Sequence, residues 1–136
     1  ICDYLDEIQG HSDLIGRDAE ARAETRMWIR RIDLKIAEPL TNGFRFAEGY
    51  EFFKDRLRLI PEAADDLKIL AQEGISWLDG QLEGKDFVCG NRFSLADIML
   101  YCFLNFGATV GQTLNQDNKN IINLYNKIHS RPSASV

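Results

Sequence analysis

The sequence predicts an all-α fold, a bundle of about five helices packed around one central buried helix. Three observations carry that reading. Leu67, Leu70, Ala71, Ile75, Leu78 and Leu82 form an apolar stripe at near-ideal helical spacing. Ser94 and Asp97 have the spacing of a capping box, and the run Ile98 to Leu104 behind them is apolar on every face, so it is expected to be buried. No alternating strand pattern of useful length is present.

The elements follow in order. Ile1, Tyr4, Leu5 and Ile8 recur at helical spacing, yet no capping residue or acidic first turn precedes them. That helix is expected to begin partway along, as the later part of a longer protein. Gly10-His11-Ser12-Asp13 breaks it. Asp18 is placed to cap a long helix running to about Leu40, with Trp28, Ile29, Ile32, Ile36 and Leu40 as its core stripe. Pro39 should kink or stop that helix, and Thr41-Asn42-Gly43 is turn-rich. Tyr50, Phe52, Phe53 and Leu57 favour a short second helix. Pro61 opens a third, with Glu62 suited to its N-terminal dipole. Gly74 inside it should cost roughly 1 kcal/mol relative to Ala, unless it permits close helix packing. The central helix starts at Ser94 and should end near Gly107 or Gly111. Phe93 and Ile98 flank the cap at the spacing of a hydrophobic staple. After the polar loop Asn115-Gln116-Asp117, Ile121, Ile122, Leu124, Tyr125 and Ile128 mark the last helix, closed by Pro132. The serine-containing tail from Ser133 to Val136 is the one low-complexity candidate.

Composition narrows the function. At 136 residues the chain suffices for one ordinary core. Its net charge of −5 argues against a general nucleic-acid or membrane-surface binder. No apolar run approaches the ~20 residues a membrane span needs, and no signal peptide is visible. Three widely spaced cysteines suggest neither a disulfide framework nor a metal site, and Cys89 and Cys102 read as small hydrophobes of a reducing compartment. The expectation is a cytoplasmic protein with no metal.

Few residues invite a chemical reading. Ser94 and Asp97 resemble a nucleophile and base only superficially, because the only histidines, His11 and His129, lie in a break and at a helix end. A structural cap is the better reading, and no catalytic residue is assigned. Arg22, Arg26 and Arg30 share one stripe of the long helix, flanked by Arg31 and Lys35. That stripe is either a solvated face with partners such as Asp18 or an anion-facing one. Met27 and Leu34 lie on another face beside Arg30 and Arg31. Cys2 and Cys89 lack the cationic surroundings of a reactive thiol, apart from Arg92 near Cys89.

The segment Phe93-Ser94-Leu95-Ala96-Asp97-Ile98 and the apolar run behind it resemble the capping box, staple and buried helix of the glutathione transferase C-terminal domain. Leu14-Ile15-Gly16-Arg17-Asp18 resembles the start of that domain's first long helix. The segment Asp86 to Arg92 resembles the loop ahead of its cap, and Leu124 to Ile128 with Arg131-Pro132-Ser133 resembles its last helix and stop. The resemblance implies that residues 1–12 are the end of a helix from a preceding domain plus a linker, and that residues 13–136 are the helical domain. It implies no cofactor in this part and glutathione as co-substrate of the intact protein. There, glutathione would be conjugated to hydrophobic electrophiles. A thioredoxin-like domain would bind glutathione and supply the thiol-activating residue. This domain would form the co-substrate pocket and part of a homodimer interface. Met27, Arg30, Arg31, Leu34 and Phe106 are the substrate-binding candidates, Phe106 standing where the family often places an aromatic wall. Arg30 and Arg31 depart from the Asn, Tyr or His usual near their positions. The alternative is a non-catalytic transferase-like interaction module, since the same helical domain occurs in non-enzymatic relatives.

Overall fold

The computed structural model describes residues 1–134, so Ser135 and Val136 of the tail lie outside the described residues. Helices α1 (Cys2–Ile8), α2 (Ala19–Ile32), α3 (Glu38–Phe46), α4 (Tyr50–Phe53), α5 (Ala64–Gln81), α6 (Leu95–Thr109) and α7 (Lys119–His129) account for the architecture. A π-helical turn (Asp33–Ala37) joins α2 to α3, and short 3-10 turns precede α5 and follow α7. No β-strand occurs among the described residues; two isolated bridges close the turn at 87–92.

The predicted long first helix is present and runs further than expected. Asp18 caps α2 by accepting from the Ala21 N–H at 2.8 Å. Pro39 neither stops nor breaks the helical path. It lacks the N–H that would meet the carbonyl four residues back, and the chain absorbs this by widening one turn. There the Glu38 N–H reaches the Asp33 carbonyl, an i to i+5 bond. Thr41-Asn42-Gly43 consequently lies inside α3 rather than in a turn.

The widened turn also meets α5. A Cβ on Gly74 would stand 2.1 Å from the Lys35 carbonyl oxygen, so only glycine lets these backbones touch. The core lies around this contact: Trp28, Ile32, Ile36 and Leu40 face Ala71, Ile75 and Leu78, with Leu100 and Leu104 of α6 and Ile121, Leu124 and Ile128 of α7 completing it. Leu70, expected in the apolar stripe of α5, is instead half exposed, as is Ile69. The 64–81 helix buries only Ala64, Ala71, Gly74, Ile75 and Leu78, because its opposite side has no neighbour among the described residues.

Helix α6 departs from expectation in a similar way. It buries Ala96, Asp97, Leu100, Leu104 and Gly107, while Cys102 and Asn105 are exposed. Its outward side, Cys102, Asn105, Ala108 and Thr109, is exposed, so the apolar run marked a central helix that is not enclosed all round. α7 is capped from another helix: Asp79 of α5 accepts from the Ile121 N–H at 2.8 Å. That trans cap had no local signature in the sequence.

Candidate functional site

The box at the head of α6 anchors the turn that precedes it. The Asp97 carboxylate accepts from the Ser94 N–H at 2.8 Å, from the Ser94 hydroxyl at 2.9 Å and from the Val88 N–H at 2.8 Å. The last bond ties the 87–92 turn to the helix and goes beyond a capping box. Burial pushes the Asp97 carboxyl above its ordinary value, against the pull of these three donors. Phe93 sets its ring edge-on to Phe87 at 5.5 Å, and the Arg131 guanidinium lies 4.0 Å from the Phe93 ring centre. Ile98 is half-buried. Cys89 is buried beside the Thr25 and Ser94 hydroxyls, and burial pushes its thiol up, the opposite of what a reactive thiolate needs. This whole cluster is a joint: Arg92 donates to the Asp13 carbonyl at 2.8 Å and to the Thr25 hydroxyl at 2.9 Å, and the Leu95 N–H reaches the Leu14 carbonyl at 2.8 Å. It holds the 10–17 segment against α2 and α6; the hollow of about 440 Å³ beside it is lined by Ser12, Asp13, Leu14, Asn91, Arg92 and Phe93 and does not include Ser94, Asp97 or Cys89.

An open cleft of about 460 Å³ lies instead where the π-turn faces α6. Leu34 and Ala37 of the turn and Phe103 of α6 give it apolar walls; Arg30, Asp33, Glu38, Thr41 and Arg45 give it a polar rim. The widened turn is what presents Leu34 and Ala37 here, a common use of π-turns. Arg30 bonds Asp33 at 2.8 Å, leaving little net charge at that end. Arg45 donates to the Asn42 side-chain oxygen at 3.0 Å and leans over Phe53 at 5.7 Å. Among the described residues it has no carboxylate partner.

Of the residues singled out from sequence, Arg30 and Leu34 meet in this cleft. Met27 and Arg31 lie outside its lining; Met27 is 39% exposed, and the Arg31 guanidinium lies 5.0 Å over the Trp28 ring. Phe106 is half-buried and meets Phe44 edge-on at 5.4 Å, while Phe103, one turn earlier, is the aromatic residue that lines the cleft. Sequence reasoning missed Phe103 because the run 98–104 read as uniformly buried, and missed Arg45 because nothing local marked it. A second apolar groove of about 460 Å³ runs between the other side of Leu34 and α5, past Leu67, Leu70 and Trp77. No group of acidic, His or Cys side chains able to hold a metal ion occurs among the described residues. No described helix is long and apolar enough to cross a membrane.

The comparisons with known proteins agree with this architecture. The family described as "Glutathione S-transferase, C-terminal domain" matches residues 61–132, just over half of the chain. FtsZ-localized protein A of Caulobacter vibrioides is 29% identical across 97% of the chain, and Glutathione S-transferase 2 of Saccharomyces cerevisiae is 25% identical across 98%. The chain spans 58% of the length of each of these two relatives. Among solved structures, Gtt2 from Saccharomyces cerevisiae superposes with a TM-score of 0.89 at 24% identity, covering 97% of this chain and 64% of that one. A class Gtt2 glutathione S-transferase of Vibrio parahaemolyticus gives 0.81 at 23% identity, covering 98% and 62%. By fold, by its capped central helix and by the family match, the chain belongs to the glutathione S-transferase C-terminal domain family.

Proposed function

We propose that the intact protein is a glutathione transferase, in which this domain forms the co-substrate side of the active cleft and part of a homodimer interface. The observation that carries the reading is the cleft beside the π-turn, with Leu34, Ala37 and Phe103 as apolar walls on a chain of this family. In the reaction, the glutathione thiolate forms a carbon–sulfur bond to the electrophile and the leaving group departs with its bonding pair. A formed thiolate is already a strong nucleophile, so an apolar wall contributes mainly proximity. Met27, Arg31 and Phe106 belong to this proposal as flanking positions. The exposed apolar side chains of Ile1 and, in α1, of Tyr4, Leu5 and Ile8 are where the proposal seats the glutathione-binding domain. Thiol activation is assigned to that other domain, since the described cysteine nearest to cations is buried with a raised pKa.

A second reading is a non-catalytic interaction module acting in the cytoplasm. It is favoured by the relative that matches 97% of this chain and is named for its localisation with FtsZ rather than for a reaction. Thioether formation by the full-length protein, with glutathione and chlorodinitrobenzene, separates the two. Turnover supports the transferase; a full-length protein that neither turns over nor binds glutathione supports the module.

A further inference from the structure

We infer that the cleft beside the π-turn selects an electrophile bearing a carboxylate on an aromatic body, with Arg45 as the residue that reads the carboxylate. The inference rests on the transferase reading of the same cleft.

Arg45 differs from two other half-buried cations, Lys68 and Arg92, while Arg22, which donates to the Arg17 carbonyl at 3.2 Å, lies outside the cleft. Lys68 has Glu48 at 2.6 Å, and Arg92 has Glu24 at 3.6 Å. Arg45, equally half-buried, has only neutral acceptors, Asn42 at 3.0 Å and Thr41 at 3.5 Å. Both bonds leave from the same guanidinium nitrogen, so the other nitrogens have donors to spare. A chain with a net charge of −5 supplies carboxylates freely, yet none meets this guanidinium among the described residues. The contacts to Asn42 and Phe53 hold the group in place before any ligand arrives, which lowers the ordering cost of binding.

The neighbours fit one ligand shape. A planar guanidinium fork matches a carboxylate with two parallel bonds. Phe103 and Leu34, in the same cleft, offer an aromatic edge and an aliphatic wall for a ring. The opposing charge in the cleft is Glu38, two helical turns from Arg45. It is exposed, so water screens it, whereas a bond to Arg45 forms at a half-buried group. Arg30 is occupied by Asp33 and adds no second reading position.

The test compares two electrophiles in the full-length protein: chlorodinitrobenzene, which is neutral, and a chloronitrobenzoate, which carries the carboxylate. The readout is the acid-to-neutral ratio of kcat/KM, which cancels differences in intrinsic reactivity between proteins. Arg45→Gln should lower that ratio roughly tenfold, the scale of losing one charge-assisted pair. Arg45→Lys should recover part of it, because charge remains while the fork is lost. Glu38→Gln should raise the ratio. An Arg45→Gln ratio within roughly threefold of the unmodified protein overturns the inference. If chlorodinitrobenzene is not turned over at all, the transferase reading fails separately. Calorimetry with nitrobenzoate against nitrobenzene then decides: tighter nitrobenzoate binding that Arg45→Gln abolishes upholds the carboxylate site, and equal binding of both ligands removes it.

Discussion

Asp97 gathers three donors from two segments, so its removal exposes more than a cap. Ser94→Ala should destabilise by about 1–2 kcal/mol, the ordinary worth of an N-cap. Asp97→Ala should cost more, because the buried Ser94 and Val88 N–H groups both lose their acceptor, at roughly 1–3 kcal/mol apiece. Denaturant midpoints unchanged in both variants would show that the box is dispensable. The raised pKa of Asp97 adds a pH dependence. As pH rises, the unfolded chain ionises this carboxyl first, at its ordinary value, while the folded chain resists until the raised value. The stabilising contribution is therefore fully present below the ordinary value and is lost as pH climbs through the raised one. Asp6, Asp13 and Glu48, held low by Ser12, Arg17 and Lys68 respectively, slope the other way. Their contribution is common to both proteins when unmodified chain and Asp97→Asn are compared. The difference in unfolding free energy between the two should thus favour the unmodified chain most at acid pH and shrink as pH rises. A difference that grows with pH would contradict the direction given for Asp97.

At the scale of elements, one coincidence of residues shapes the cleft. Pro39 removes a helix donor, the turn before it widens, and Gly74 leaves room for the Lys35 carbonyl on α5. Gly74→Ala should gain roughly 1 kcal/mol in helix propensity yet lose stability overall, because backbone blocks the new methyl and overpacking costs about 1–3 kcal/mol or more. A thermal midpoint that rises in Gly74→Ala would refute this contact. The possibility that Gly74 serves close packing was legible in the sequence; that its partner is a widened turn was not. Helical periodicity reports which face of one helix is apolar, and Ile32, Ile36, Ile75 and Ile121 obey it. It carries no information on whether a neighbour covers that face, so Leu70 and Cys102 were read as buried and are exposed. For the same reason Arg30 and Leu34 were found, on a helix with a readable stripe, while Phe103 and Arg45 were not. Their meeting in one cleft depends on how α3 and α6 are placed, a relation between distant segments.

For the whole molecule, the proposal is that the chain forms one part of a two-domain transferase. The crowding of Phe44, Phe46, Tyr50, Phe52 and Phe53 into one short segment supports the homodimer proposal. Phe44 and Phe53 turn out to meet each other edge-on at 6.4 Å, and the exposed remainder is Phe52 and Tyr50 with Leu57, Ile60, Ile69 and Leu70. Exposed large apolar side chains are the residues an interaction site would cover. Sedimentation of the full-length protein should give a dimer; a monomer at every accessible concentration would oppose it. Residues 1–136 alone should not bind glutathione measurably by calorimetry. Even millimolar affinity needs about 4 kcal/mol, and one exposed ion pair from Arg30 or Arg31 supplies ~0–1 kcal/mol. If the full-length protein turns over an aryl electrophile as proposed, Phe103→Ala should raise KM for that electrophile more than for glutathione, and Phe106→Ala should do so to a smaller degree. The central claim meets its most direct test in thioether formation by the full-length protein with glutathione and chlorodinitrobenzene. The account expects saturable turnover that depends on both substrates; a full-length protein that binds glutathione neither catalytically nor at equilibrium would contradict it.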